Sequence, residues 1–328
     1  VKILIIQTAF IGDAILATAL AEKLHRFYPK ATIDFVLRKG NESLLQEHPF
    51  IRKIHIWDKK QGKYPNLWRI LKAIRQEQYD QVINCQRFAA SGLLTAFSGA
   101  KQTVGFDKNP LSLLFSKRIK HQIGAGQSRF GLHYFHEIDR NLALIDHLTD
   151  ISPERPKLYP SPQDTAKAQE LANGQPYICI APTSVWFTKQ WPARHWIALI
   201  KTFPADQTVF LLGAPSDWDA CDHIAQATQR INIVNLAGKI SLITSAALMQ
   251  KAEMNYVNDS APLHLASAMN APVTAIFCST VPEFGFTPLS DHQAIWQNDQ
   301  NLPCRPCGLH GYKACPKGHF ACAEVKAS

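Results

Sequence analysis

Three short segments and a tail concentrate the residue types able to do polar chemistry. The first, Thr8-Ala9-Phe10-Ile11-Gly12-Asp13, follows directly on an apolar run. A carboxylate at a turn that opens a helix has two readings. It can cap the helix, an arrangement worth ~0.5–2 kcal/mol, or it can act as a general base toward a hydroxyl. The two compete, because amides at a helix N-terminus stabilise the carboxylate and weaken it as a base. The turn holds one glycine where the dinucleotide fingerprint G-x-G-x-x-G needs three, which argues against a nicotinamide enzyme.

The second segment is Ala181-Pro182-Thr183-Ser184, with Lys189-Gln190-Trp191-Pro192 shortly after. Hydroxyls and backbone N–H groups at a strand end suit a phosphate, and lysine adds a compact positive charge with three donors. The plainer alternative is a capping turn with a solvated lysine. The third segment, Asn258-Asp259-Ser260-Ala261-Pro262-Leu263-His264, ends a strand and opens a helix. Backbone N–H groups there bind phosphate without help from side chains. Asp259 would repel a phosphate set directly beside it, so it suits sugar or ribose hydroxyls. His264 reads either as a group facing a cleft or as a satisfied structural residue. In the tail, Cys304, Cys307, Cys315 and Cys322 are interleaved with His310 and His319. C-x-x-C is a common zinc half-site, but the spacing beyond it is not that of a standard second knuckle. Zinc, a disulfide and unpaired thiols all stay open, and a reducing compartment disfavours the disulfide.

The elements that must position these residues follow from the hydrophobic pattern. Short apolar runs at 2–7, 32–37, 53–57, 81–84 and 102–105 read as strands, with amphipathic helices at 14–28, 66–76, 89–98 and 136–148. Repeated prolines punctuate residues 149–176, which read as a linker region with one helix inside it. Strands then resume at 177–181, 208–212, 233–235, 254–258 and 273–277, with helices at 193–202, 216–228, 242–250 and 262–269 between them. Such alternation implies parallel sheets with helices on both faces. The chain therefore divides into 1–150, a proline-rich linker 151–176, a second domain 177–303 and the Cys-rich tail 304–328. In doubly wound sheets ligands bind beyond the carboxyl ends of the strands, which is where all three segments fall.

The chain has 328 residues, past the size at which one core usually splits in two. Hydrophobic residues make up 46% and charged residues 19%, which excludes wholesale disorder. No stretch reaches the ~18 uncharged apolar residues needed to span a bilayer, because Asp13 interrupts the best candidate. A soluble cytoplasmic protein is expected. The net charge of +9 is unevenly placed: residues 1–150 hold 22 Lys and Arg against 13 Asp and Glu, while the remainder balance. A basic half beside a neutral half suits an anionic partner. Nucleic acid is the poorer candidate, since no dense basic run carries interleaved aromatics.

The stretches KILIIQTAFIGDAILATAL, APTSVWFTKQWPARHW and NDSAPLHLASAMNAPVTAIF together resemble the ADP-heptose:lipopolysaccharide heptosyltransferases, glycosyltransferase family 9. The Cys-rich ending is similar to the tail of the heptosyltransferase II branch. The resemblance implies a GT-B fold, two Rossmann-like domains facing across a cleft. The first would bind the acceptor and the second the nucleotide sugar, and the tail would pack toward the first. It implies inverting transfer of heptose from ADP-L-glycero-D-manno-heptose to the lipopolysaccharide inner core, with no metal or other cofactor required. Asp13 matches the general base. Lys189 would neutralise charge on the departing ADP. Thr183, Ser184, Asp259, Ser260, Ala261 and His264 match the donor site, with Asp217 near the ribose. The family pattern has glycine where this chain has Ala261. Lys59, Lys60, Lys63, Arg87, Lys117, Arg118 and Lys120 would attract an anionic acceptor and could hold the protein against the inner face of the inner membrane. Two other functions compete: a GT-B enzyme using another nucleotide sugar, and a zinc-dependent interaction module built on the tail.

Overall fold

The computed structural model describes residues 1–60 and 62–326, the Lys63 side chain excepted. Two compact units meet in sequence between Tyr159 and Pro160, inside the proline-rich segment. In the first, strands β1 (Lys2–Gln7), β2 (Thr32–Arg38), β3 (Ile51–Trp57), β4 (Gln81–Asn84), β5 (Gln102–Phe106) and β6 (Lys117–Ile119) alternate with helices α1 (Ile11–Leu16), α2 (Thr18–Phe27), α3 (Lys63–Glu77), α4 (Ala89–Ala96) and α5 (Glu137–Ala143). In the second, α6 (Pro162–Ala172) precedes β7 (Tyr177–Ala181), α7 (Ala193–Thr202), β8 (Thr208–Leu211), α8 (Trp218–Thr228), β9 (Ile233–Asn235), α9 (Leu242–Lys251), β10 (Met254–Asn258), α10 (Ala261–Ala268), β11 (Val273–Phe277) and β12 (Gln293–Gln297).

Both sheets have six strands, in the orders β3-β2-β1-β4-β5-β6 and β12-β11-β10-β7-β8-β9. All pairings are parallel. Counted within its own unit, each sheet is wound 3-2-1-4-5-6, so the strand order reverses between β1 and β4 and again between β7 and β10. That reversal opens a crevice at the carboxyl ends of the strands, the usual ligand position in such sheets. The central strands are sheathed on both faces: Ile3 through Ile6 are fully buried, and all five residues of β7 are buried.

Two strands, β6 and β12, lie outside the sequence expectation. Both are sheet edges, and Lys117, Arg118, Gln293 and Ala294 are exposed there, so no apolar run marks them. The single helix expected over 14–28 is two helices. The Thr18 hydroxyl donates to the Ile15 carbonyl at 2.7 Å and also accepts from the Lys157 N–H at 3.0 Å. A hydroxyl turned back onto its own helix competes with the backbone ladder and bends it. The helix expected over 136–148 is α5 alone, followed by turns. His136 caps its start, with Nδ1 accepting from the Ile138 N–H at 3.1 Å and Asp139 accepting from the His136 N–H at 2.8 Å. In the proline-rich segment, Ser161 and Asp164 cap α6 reciprocally, and Asp164 also accepts from Thr244 on α9 at 2.6 Å. This ties α6 to the second unit.

The β3 edge is closed by an ionic cluster. Glu77 takes hydrogen bonds from Lys53 at 2.8 Å and Arg52 at 2.7 Å, and Arg52 also pairs with the buried Asp34. Lys53 and then Arg52 hold the Glu77 carboxyl at about 2, against an ordinary 4.5. A carboxyl depressed in the fold stabilises above its unfolded pKa and loses that contribution as pH falls through the folded one. Glu77→Gln should therefore lower the melting temperature at pH 7. The gap to the parent should shrink from about 4.5 down to about 2 when melting is followed against pH; a gap independent of pH would refute the coupling.

Candidate functional site

In the first unit the site is built at the end of β1. Phe10, extended, occupies the N-cap of α1 without a side-chain cap, and Asp13 is the third helical residue. The capping reading of Asp13 is thus replaced: the carboxylate lies half-buried in the first turn. Its charge is felt by the buried Cys85 at the end of β4, whose thiol is pushed up by burial and further by Glu137 and Asp13. Asp13 therefore stands near the reversal between β1 and β4.

Several side chains hold this turn. Lys59 donates through Nζ to the Thr8 carbonyl at 2.6 Å and to the Thr8 hydroxyl at 3.2 Å, with the Trp57 ring 4.7 Å away. Asn41 donates to the Ala9 carbonyl at 3.2 Å, the Arg38 guanidinium lies 5.6 Å over the Phe10 ring, and Gln7 accepts from the Ala9 N–H and from Gln86. Of these only Lys59 stands out in the sequence. Gln7 is legible just as the polar end of an apolar run, and Arg38 and Asn41 give no local signal.

The remaining basic candidates do not join Lys59 in one patch. Lys60 and Arg87 are exposed in the loops after β3 and β4. Lys117 and Arg118 lie on β6 and Lys120 just beyond it, all three exposed. Strands β3 and β6 are opposite edges of the sheet, about 24 Å apart at the usual strand spacing. The Lys63 side chain lies outside the described residues.

In the second unit, the loops after β7 and β10 meet at the strand-order reversal. Lys189 Nζ is 2.7 Å from Asp259 Oδ2, and their side chains are only 14% and 7% exposed. The Thr280 hydroxyl, beyond β11, donates to the same oxygen at 2.6 Å. Asn258, fully buried, accepts from the Trp191 N–H at 2.9 Å and so ties the end of β10 to the loop carrying Lys189. Gln190 donates to the Ser184 carbonyl at 2.7 Å, which fixes the loop of Thr183 and Ser184. Ser260 is the extended N-cap of α10 and makes no side-chain cap. The amides of the first turn of α10 thus carry no side-chain cap from it. Ala261 is helical with negative φ, so its methyl strains nothing. His264 is buried on α10, its ring centroid 6.2 Å from that of Phe286. Asp217, matched to the ribose side, uses Oδ2 to close its own turn ahead of α8, accepting from the Ala214 N–H at 2.8 Å.

The tail packs on the second unit, where the resemblance placed it toward the first. The Tyr312 N–H donates to the Thr188 hydroxyl at 2.7 Å, and the Thr188 N–H donates to the Tyr312 carbonyl at 3.1 Å. Ser279 donates to the Thr188 hydroxyl at 3.0 Å, and Cys307 N–H to the Ser279 carbonyl at 2.9 Å. Arg305 donates to the carbonyls of Phe277, Thr280 and Asn298. All eight cysteines are free thiols. Among the described residues no group of three or more His, Cys, Asp or Glu is placed to hold a metal ion. Cys315 is the distinctive thiol. Burial pushes it up, but backbone N–H groups of Phe320, Lys317, Gly318 and His319 outweigh this and hold it below the ordinary range.

Gly311 presses directly on the lysine. Its φ is +76°, and a Cβ there would meet the Thr188 hydroxyl at 2.9 Å and Lys189 Cγ at 3.0 Å. Gly311→Ala should shift Lys189 and destabilise the fold by about 1–3 kcal/mol, since the methyl meets both the clash and a left-handed backbone. Thermal melting checks this; a parent-like melting temperature would show that the tail does not press on the lysine.

Two parallel sheets each wound 3-2-1-4-5-6 have the GT-B architecture of the solved heptosyltransferases the chain resembles. The chain belongs to glycosyltransferase family 9 (heptosyltransferase), whose model matches residues 67–312. It is similar to lipopolysaccharide heptosyltransferase 3 of Escherichia coli, 27% identical over 311 residues, covering 90% of this chain and 89% of that one. Lipooligosaccharide heptosyltransferase 2 of Haemophilus influenzae is 28% identical over 324 residues, covering 90% and 88%. Among solved structures, E. coli ADP-heptose lipopolysaccharide heptosyltransferase II superposes with a TM-score of 0.75 at 21% identity, covering 98% of this chain and 97% of that one.

Proposed function

We propose that this glycosyltransferase moves heptose from ADP-L-glycero-D-manno-heptose to the inner core of lipopolysaccharide, inverting the anomeric carbon without a metal. The observation that carries the reading is the Lys189–Asp259 pair set beside the N-terminus of α10. An ammonium has three donors and Asp259 Oδ2 takes one, so Lys189 keeps capacity for a diphosphate. The first-turn amides of α10, led by Ser260 and Ala261, are suited to the same anion. Thr183 and Ser184 contribute polar groups from the neighbouring loop, and Asp259 and His264 are assigned to sugar hydroxyls.

In the reaction the acceptor oxygen bonds to the anomeric carbon as the bond from that carbon to the phosphate oxygen breaks. Asp13 takes the acceptor's hydroxyl proton, and the bonding pair leaves with ADP. Lys189 stabilises the charge that develops on the departing diphosphate, which electrostatic preorganisation does at no cost in rearrangement. Lys59 lies at the Asp13 turn and is the basic residue best placed to meet an anionic acceptor. Lys60, Lys63, Arg87, Lys117, Arg118 and Lys120 serve as a longer-range attractive field. The cytoplasmic face of the inner membrane, with peripheral contact, is the corresponding location. No helix among the described residues is long and apolar enough to cross a membrane.

The donor is tested by thermal shift. ADP-heptose should raise the melting temperature, as any ligand bound only by the folded state does, while UDP- and GDP-sugars should not. A larger shift with a UDP- or GDP-sugar would replace the donor. Loss of transfer in EDTA would remove the metal-free mechanism.

A further inference from the structure

Helix α3 buries Leu67, Ile70, Leu71 and Ile74 in the core of the first unit. Its outer face carries Tyr64 and Trp68, one turn apart and 67% and 61% exposed, and Lys72 follows a turn later. Just past the end of α4, Phe97 is 50% exposed. Between the two helices runs a groove of about 520 Å³ lined by Trp68, Leu71, Lys72, Arg75, Leu93 and Phe97, together with one glutamine. Arg75 reaches across it to the Phe97 carbonyl at 3.1 Å. The lining holds two cations and no acid. The nearest acid along α3, Glu77, is engaged by Lys53 and Arg52.

We propose that this groove is where the protein rests on an anionic phospholipid bilayer. The inference rests on the peripheral membrane contact proposed above and gives it a place. Large aromatics beside lysine and arginine are the side chains that settle at the boundary between headgroups and acyl chains. The basic rim complements lipid phosphates, and the whole cationic excess of the chain lies in its first 150 residues. A second copy is the poorer occupant, because a two-fold contact through this face would set one cationic lining against another with no acid to pair it. Attachment of this kind is interfacial and reversible.

The full chain is to be sedimented with vesicles of phosphatidylcholine, with and without phosphatidylglycerol, at low and high salt. Binding should require phosphatidylglycerol and weaken with salt. Trp68→Ala with Phe97→Ser, and separately Lys72→Glu with Arg75→Glu, should each weaken it by about tenfold or more. Lys117→Glu with Lys120→Glu, an equal charge change at the far sheet edge, should weaken it less. The two groove variants act through different chemistry, so if the aromatic pair fails to fold the charge pair still decides. Failure of the parent protein to sediment with phosphatidylglycerol vesicles would remove the membrane contact itself. Parent-like binding by a folded groove variant would keep the contact but overturn the groove as its seat. A dimer in solution that dissolves in the Trp68 variant would name a second copy as occupant and equally overturn the proposal.

Discussion

Asp13→Asn should cut heptose transfer by ~10²–10⁴-fold, the usual worth of general-base assistance, while leaving ADP affinity at the parent value. The two readouts separate because of where the residues lie. Asp13 is on α1 in the first unit, and the diphosphate candidates are in the loops after β7 and β10 of the second. The substitution keeps size and hydrogen-bonding reach but removes the ability to accept a proton. It leaves the α1 N-cap alone, since Phe10 occupies that position. Steady-state turnover and an ADP titration on one preparation decide the matter. Turnover within a few-fold of the parent would strip Asp13 of its role, and a parallel loss of ADP affinity would mean that the change reaches the donor site.

Lys189→Met should have two consequences that a second substitution can pull apart. The first is structural. Asp259 is left buried with the Thr280 hydroxyl still donating to it, and stripping one member from a buried ion pair costs about 3–5 kcal/mol. The second is catalytic: on the proposed function, loss of the group assigned to the departing diphosphate should slow transfer by ~10²–10³-fold. Adding Asp259→Asn removes the stranded charge, so the double variant should recover most of the melting temperature and little of the turnover. Recovery of both would make the pair a purely structural device. Recovery of neither would mean that the stranded Asp259 charge is not what destabilises the single variant.

Much of this architecture is legible in the residues alone, and the illegible parts share a physical cause. Central strands such as β1 and β7 are buried on both faces and therefore read as unbroken apolar runs. The edge strands β6 and β12 face water along one side, so lysine, arginine and glutamine dissolve the signal. Asp13, Lys189 and Asp259 are individually visible because each lies in the segment that follows an apolar strand run. The Lys189–Asp259 pairing is not visible, since it depends on β7 and β10 becoming neighbours through a crossover that chain order conceals. The local role of Asp217 is likewise hidden: a carboxylate after a strand reads the same whether it reaches a ribose or its own turn. Thr280, Gly311 and Tyr312 come from still further along the chain and support the pair only through tertiary contact.

The bracket between Thr188 and Tyr312 also bears on how a working molecule is made. All twelve described strands end by Gln297, so the bracket comes from chain that follows both sheets. Domains fold as units in the order of their synthesis. The lysine is therefore the last group to receive its backing. A chain cut before Gly311 would keep every strand, yet it would leave the loop of Lys189 without its backing and take Ala323 and Val325 out of the core of the second unit.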